Sequence, residues 1–356
     1  MKILYLMHVD WNWIKQRPHF IAEKFAEKGI DVDVYFNKYK SKGLVNNDKK
    51  IKVRPIPQLR GNRFMFISWM NRIIYILFIL FNQNKYDYIY ISHPKFYTKI
   101  MRKKIIFDCM DDYVAFNTKE SDKQIAFQKE RNAVLNSELI IFSAEYLRNV
   151  VINRQNINPK KTLIINNAIQ MPSKKPHEQE KRTGLKDIII TYIGTISDWF
   201  DFNLLDQVKE CYKDKNLIFN LYGPVDLNIM KPSKNVNLLG SINHDKIFDV
   251  MEASDILMMP FVVTDLIKSV NPVKLYEYIY SGKPIICVKY GESEKFGEQV
   301  YLYANQDAQS FVSQIKIIEE NGFVGKLKPY EIIEYLRNNT WESRCNQIIE
   351  FLMDNK

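Results

Sequence analysis

Cysteine is scarce and scattered in this chain: Cys109, Cys211, Cys287 and Cys345 are its four cysteines in 356 residues. No Cys-x-x-Cys pair occurs, so neither a disulfide frame nor a metal-binding spacing is available, and the four read as buried thiols of a cytoplasmic protein. No secretory leader is expected either. The opening Met1-Lys-Ile-Leu-Tyr-Leu-Met7 has no charged n-region and runs straight into polar residues, as a first β-strand would. Helix-turn-helix, zinc-finger and ribonucleoprotein motifs are also absent, which argues against nucleic acid as the partner despite a formal net charge of +10.

What is present fits two α/β domains. A chain of 356 residues exceeds what one core usually organises, and 46% apolar with 13% aromatic residues can fill two. The charge divides unevenly: residues 1–172 hold 29 Lys and Arg against 15 Asp and Glu, net +14, whereas 173–356 hold 22 against 26, net −4. A first domain this basic favours an anionic surface such as phospholipid headgroups or a lipid-linked diphosphate.

Apolar runs alternate with helical stretches twice over. Strands are predicted at Ile3-Met7, Val32-Phe36, Ile51-Ile56, Tyr88-Ile91, Ile105-Phe107, Leu139-Phe142 and Leu163-Ile165, with a helix from about Lys15 to Lys28. From Pro172 to Gly184 prolines and charges break the period, as in a linker. The pattern restarts with Ile188-Ile193, Leu217-Tyr222, Val236-Leu239, Ile256-Met259 and Ile285-Val288. The expectation is two Rossmann-like, doubly wound parallel sheets, residues 1–172 and 185–339, facing a cleft at the carboxyl ends of their strands.

The most specific stretch is Asn271-Pro-Val-Lys-Leu-Tyr-Glu277-Tyr-Ile-Tyr-Ser-Gly282-Lys-Pro284. Asn271 is a good N-cap and Pro272 a good first helical residue, and Gly282 a good stop. The free amides of Val273 and Lys274, the Lys274 ammonium beside them and Glu277 one turn on would suit a diphosphate joined to a polyol.

This segment resembles the donor-binding signature of the group 1 (family 4 type) nucleotide-sugar glycosyltransferases, which have the GT-B fold. The resemblance implies that Glu277 holds the ribose hydroxyls and Lys274 the diphosphate, with UDP the expected nucleotide. The family's first glutamate, a sugar contact, falls on Ser269, which leaves donor identity and retaining or inverting stereochemistry open. Weaker signposts follow in the family's order: Gly194 after Ile190-Thr-Tyr-Ile, Gly223 after Leu221-Tyr, and Gly240-Ser241 after Val236-Asn-Leu-Leu. They imply donor contacts at Gly194, Gly223 and Ser241. The basic residues that many members place after the first of these turns are replaced by Ser197-Asp-Trp-Phe-Asp201, so phosphate neutralisation leans on Lys274 and on Arg17. No metal or other cofactor is expected: Asp31-Val-Asp33 invites a metal reading, but a lysine and a helix N-terminus already supply leaving-group stabilisation.

At the amino end, His8-Val-Asp-Trp11-Asn-Trp13-Ile-Lys-Gln-Arg17-Pro-His19 resembles the opening of a subset of bacterial surface-polysaccharide enzymes in this family. It implies acceptor contacts at Trp11, Trp13 and His19, although each Trp could equally pack under the next helix. His93, in Ser92-His93-Pro94, is either a further acceptor contact or a structural histidine. Asp111 and Asp112, just beyond the Ile105-Phe107 strand, could orient or deprotonate an acceptor hydroxyl or simply cap a turn, with Asp108 a structural partner.

Residues Phe64 to Phe81 are apolar at 15 of 18 positions, interrupted by Ser68, Asn71 and Arg72. A helix packed on the sheet, a helix resting in a membrane interface and a span are all compatible with that pattern. Thr340-Trp341-Glu-Ser-Arg344 opens a last helix, about 340–356, that the resemblance places back on the first domain. The function implied is transfer of a sugar from a nucleotide-diphosphate donor to a saccharide or lipid-linked acceptor, in surface-polysaccharide assembly at the inner face of the membrane. A nucleotide-sugar epimerase of the same fold and an inactive donor-binding subunit are the alternatives.

Overall fold

A computed structural model describes residues 1–38, 51–61, 63–173, 175–176, 178–226 and 236–354. It divides into two units: Met1–Asn167 with Trp341–Lys356, and Ala168–Thr340.

The first unit is built on seven parallel strands: β1 (Lys2–Met7), β2 (Asp31–Phe36), β3 (Lys52–Pro55), β4 (Tyr88–Ile91), β5 (Lys104–Cys109), β6 (Leu139–Phe142) and β7 (Thr162–Ile164). They lie in the order β3-β2-β1-β4-β5-β6-β7. Its helices are α1 (Arg17–Glu27), α2 (Met65–Asn82), α3 (Glu120–Asn136) and α4 (Glu145–Gln155). Near-continuous burial along β1, β2, β4, β5 and β6 is what a sheet covered on both faces requires. The strand order reverses direction between β1 and β4, and in such sheets ligands bind outside the carboxyl ends at that switch.

The second unit repeats the plan with six strands: β8 (Asp187–Ile193), β9 (Asn216–Tyr222), β10 (Val236–Gly240), β11 (Ile256–Met259), β12 (Ile285–Val288) and β13 (Tyr301–Tyr303). They are ordered β10-β9-β8-β11-β12-β13, so the switch falls between β8 and β11. Its helices are α5 (Phe202–Cys211), α6 (Ile247–Glu252), α7 (Asp265–Lys268), α8 (Val273–Ser281), α9 (Gly291–Glu294), α10 (Ala308–Glu320) and α11 (Pro329–Arg337). The last helix, α12 (Trp341–Asp354), returns to the first unit. There Trp341 stacks on Phe20 with ring centres 5.1 Å apart and Lys28 pairs with Glu342 at 2.7 Å.

The boundary differs from the sequence expectation. Residues 168–172 belong to the second unit, and Pro172 and Arg182 in the expected linker are tied to that unit. Arg182 pairs with Asp255 at 2.6 Å, the Arg182 amide donates to Gly322 O, and the Tyr280 hydroxyl reaches Pro172 O at 3.5 Å. Prolines and charges removed the helical period without removing these anchors.

Helix α2 packs in an inverted sense. Two of its polar groups face the protein while Ser68 and Arg72 are exposed: Asn71 exchanges hydrogen bonds with the backbone of Leu59 at 2.6 and 3.0 Å, and the Tyr75 hydroxyl donates to Phe96 O. Only Phe78 and Ile79 are buried, whereas Met65, Phe66, Trp69, Ile73, Leu77 and Phe81 are exposed.

Candidate functional site

In the second unit three glycine-bearing turns are stitched along one edge. The Gly194 amide donates to Tyr222 O and the Gly223 amide to Gly240 O, both at 2.8 Å. Gly223 has φ +144°, and a Cβ there would meet Gly194 O at 1.9 Å, so no side chain fits between the two turns. Ser241 follows Gly240 and is exposed. Because β10, β9, β8 and β11 are adjacent and parallel, Ser241, Gly223, Gly194 and the segment leading to α8 share the carboxyl-end edge. The buried Tyr278 hydroxyl accepts from the Ile193 amide at 2.8 Å, fastening α8 to the end of β8.

Helix α8 starts one residue later than expected: Pro272 occupies the N-cap and makes no side-chain cap. Asn271 is not the cap, because its amide donates to Glu292 at 3.0 Å and its carbonyl accepts from the Tyr276 hydroxyl at 3.3 Å. It anchors the helix start from below. Pro272 has no N–H, and Leu275 N bonds back to Pro272 O, so the amides of Val273 and Lys274 are the donors left at the helix's positive end. The Lys274 ammonium lies 2.6 Å from Glu277, with the two side chains 30% and 15% exposed. A partly solvated pair one turn apart is held by only about 0–1 kcal/mol, so a ligand carrying both an anion and hydroxyls can separate it. Ser269 is buried, and its hydroxyl donates to Asp265 O at 3.1 Å. It offers nothing to a sugar in this arrangement.

In the first unit Arg17, expected at phosphate or reacting groups, is buried. Its Nε lies 3.1 and 3.0 Å from the two Asp108 oxygens, Nη2 lies 2.9 Å from Oδ1, and Nη1 donates to Ile165 O at 2.7 Å. Burying a guanidinium demands such a partner, and the geometry leaves it a structural strut. His19 is likewise internal: Nδ1 accepts from the Gln16 amide at 3.1 Å and Nε2 lies 3.3 Å from Asp10 O, so it caps the start of α1 and cannot reach an acceptor. Its pKa is lowered by burial. Asp112 accepts from the amides of Val114 and Ala115 at 3.1 and 3.0 Å and pairs with Arg154 at 3.0 Å, which makes it a turn cap.

Asp111 differs. It is half-buried, and burial pushes its carboxyl up to about 6, opposed by Arg17 and reinforced by Asp108 and Asp112. A carboxyl poised near neutrality at a strand end suits proton transfer. Trp13 is exposed at 61%, while Trp11 is half-buried with its ring 5.2 Å from that of His19. Among the acceptor candidates, His93 stands at the carboxyl end of β4, and its neighbour across the switch is His8, a residue sequence reasoning did not select. Strand register could have found it, since each histidine lies two residues beyond the paired Leu6 and Ile91.

Residues 187–321 match the family described as Glycosyl transferases group 1. A protein of Bacillus subtilis named for teichuronic acid biosynthesis as the glycosyltransferase TuaH is 22% identical over 236 residues, 62% of this chain and 59% of its own length. The match thus spans somewhat more than half of that curated relative. Among solved structures, sucrose-phosphate synthase from Thermosynechococcus elongatus superposes with a TM-score of 0.74 at 12% identity over 99% of both chains. Anabaena HepE in complex with UDP and glucose gives 0.71 at 14% identity, again over 99% of each.

Proposed function

We propose that this GT-B protein, a group 1 glycosyltransferase by the family of its residues 187–321, transfers a sugar from a nucleotide-diphosphate donor to a saccharide acceptor. The observation that carries the reading is the start of α8. Two amides without a partner among the described residues, the helix dipole and Lys274 converge there at the carboxyl end of a parallel sheet, with Glu277 one turn behind. In this reading the amides and Lys274 take the diphosphate, Glu277 takes the ribose hydroxyls, and the Gly194 and Gly223 turns let the backbone approach the nucleotide. Developing negative charge on the departing diphosphate is stabilised by preorganised donors, without a metal. UDP is the nucleotide favoured, supported by the UDP complex of the similar HepE structure.

The acceptor falls to the basic first unit, with Asp111 as the group that accepts its proton. Surface-polysaccharide assembly is favoured by the likeness to TuaH, and a lipid-linked acceptor by the charge of residues 1–172. The inverted helix α2 supports attachment to the inner face of the membrane: an exposed apolar stripe with Trp69 and Phe66, flanked by Arg60, Arg63 and Arg72, suits an anionic lipid surface. Incubation with a panel of nucleotide sugars and a lipid extract tests the activity. Transferred sugar is expected; an altered donor sugar, or binding without turnover, would replace the transferase reading with an epimerase or a donor-binding subunit.

A further inference from the structure

β1 and β4 pair in register with Leu6 opposite Ile91, so two residues on, His8 and His93 leave the sheet side by side at the switch point of the first unit. Their ring centres are 5.4 Å apart. Ser92, between them, is fully buried and fixes how one ring is protonated. Its Oγ receives the His8 amide at 3.0 Å, lies 3.2 Å from Leu6 O, and lies 2.8 Å from His8 Nδ1. A hydroxyl has one hydrogen and two lone pairs. All three contacts are hydrogen bonds only when the Ser92 hydrogen goes to Leu6 O and His8 Nδ1 carries its own proton. His8 Nε2 then has a free lone pair. His93 is opposite in sense: Nδ1 accepts from the Lys95 amide at 3.0 Å, so a neutral ring carries its proton on Nε2.

Burial, followed by Lys95 and His19 for His8 and by Lys95, His8 and Lys129 for His93, keeps both rings neutral, with pKa values lowered to about 3 and about 2. The His93 ring is held at 4.4 Å by Tyr113, whose hydroxyl donates to Ser92 O at 3.0 Å. Among the described residues no hydrogen bond reaches either Nε2, and both histidines are only half-buried. One Nε2 therefore accepts, the other donates, and both remain reachable from solvent. An alcohol group donates and accepts at a single oxygen, so it can pair with an acceptor and a donor that lie side by side. A metal ion does not fit the pair, because the His93 Nε2 lone pair is taken by its proton. An anion does not fit either, because neither ring is charged.

We propose that His8 and His93 form a hydroxyl-binding pair, His8 accepting and His93 donating, that holds one alcohol group of a saccharide at the head of β1 and β4. The proposal rests on the reading that the first unit handles a saccharide and assigns it a contact.

The test uses the full chain labelled with 15N-histidine, with resonances assigned through His8→Gln and His93→Gln, and long-range proton–nitrogen spectra recorded from about pH 8 to about pH 5. His8 is expected protonated at Nδ1 and His93 at Nε2, neither titrating across that range. Adding methyl α-glucopyranoside as the probe is expected to shift both Nε2 signals, and His8→Gln to abolish the shift at His93. The opposite tautomer at either ring, titration near pH 6.5, or unmoved Nε2 signals would overturn the pair. Calorimetry with UDP on the same samples keeps the two readings apart. Lost UDP binding strikes the nucleotide-sugar reading and leaves the histidines standing, whereas normal UDP binding without a saccharide shift strikes the pair alone.

Discussion

Two parallel sheets of the same winding end in opposite chemistry. The first unit closes its ions on one another, Arg17 on Asp108 and Arg154 on Asp112 and Glu130, and presents two neutral imidazoles at its β1/β4 switch. At the β8/β11 switch the second unit stitches its backbone turns together and leaves Lys274 and Glu277 in a partly exposed pair over a bare helix start. The difference is one of burial. A closed ion pair in the dry interior holds the frame and is costly to open, while a wet one can be exchanged for a ligand at little cost.

Breaking the two pairs separately tests that contrast. Arg17→Met leaves Asp108 charged and buried, and is expected to lower unfolding free energy in urea by about 3–5 kcal/mol. The double change Arg17→Met with Asp108→Leu should recover most of it, and no recovery would mean that Arg17 acts on something other than Asp108. Lys274→Ala should leave stability within about 1 kcal/mol of wild type yet reduce turnover by about 100-fold or more, the worth of roughly 3 kcal/mol on a developing anion. Unchanged kcat would remove Lys274 from the mechanism.

A smaller effect separates the units by surface. Each Lys or Arg at an anionic bilayer contributes about 1 kcal/mol, and salt near 1 M shortens screening to about 3 Å. Flotation should therefore show binding to anionic but not neutral vesicles, reversed largely by salt, with the residue lost on Trp69→Ser and Phe66→Ser. Equal binding to neutral vesicles would defeat the electrostatic part.

The smallest effect is that of pH. His8 and His93 bind protons less readily folded than unfolded, so their contribution to stability is present above about pH 6.5 and is lost as pH falls toward about 3 and 2. Asp111, raised to about 6, has the opposite sign: the folded chain takes its proton first, and stability is gained as pH falls from about 6 toward about 4. His8→Gln with His93→Gln should flatten the loss of denaturation midpoint between about pH 7 and about pH 5, and Asp111→Asn should steepen it. A double histidine variant with the wild-type slope would contradict neutral rings.

Local pattern carried much of this into the sequence. Apolar runs such as Tyr88–Ile91, Leu139–Phe142 and Ile285–Val288 are strands with those bounds, because burial on both faces writes itself as continuous hydrophobicity. The three-residue Tyr301–Tyr303 was too short to register. What stayed hidden depends on distant partners. Arg17 meets Asp108 across 91 residues, Asn271 meets Glu292 across 21, and Ser92 orients His8 across 84. None of these has a period to read, so Arg17 looked free and His8 looked like part of a loop.

The central claim is that the head of α8 holds a nucleoside diphosphate, with Glu277 on its ribose. Calorimetry of UDP against the full chain and its Glu277→Ala variant measures this directly. The account predicts binding by the wild type and a loss of about 1–3 kcal/mol in the variant. Equal affinity in both proteins, or no binding by the wild type, would contradict it.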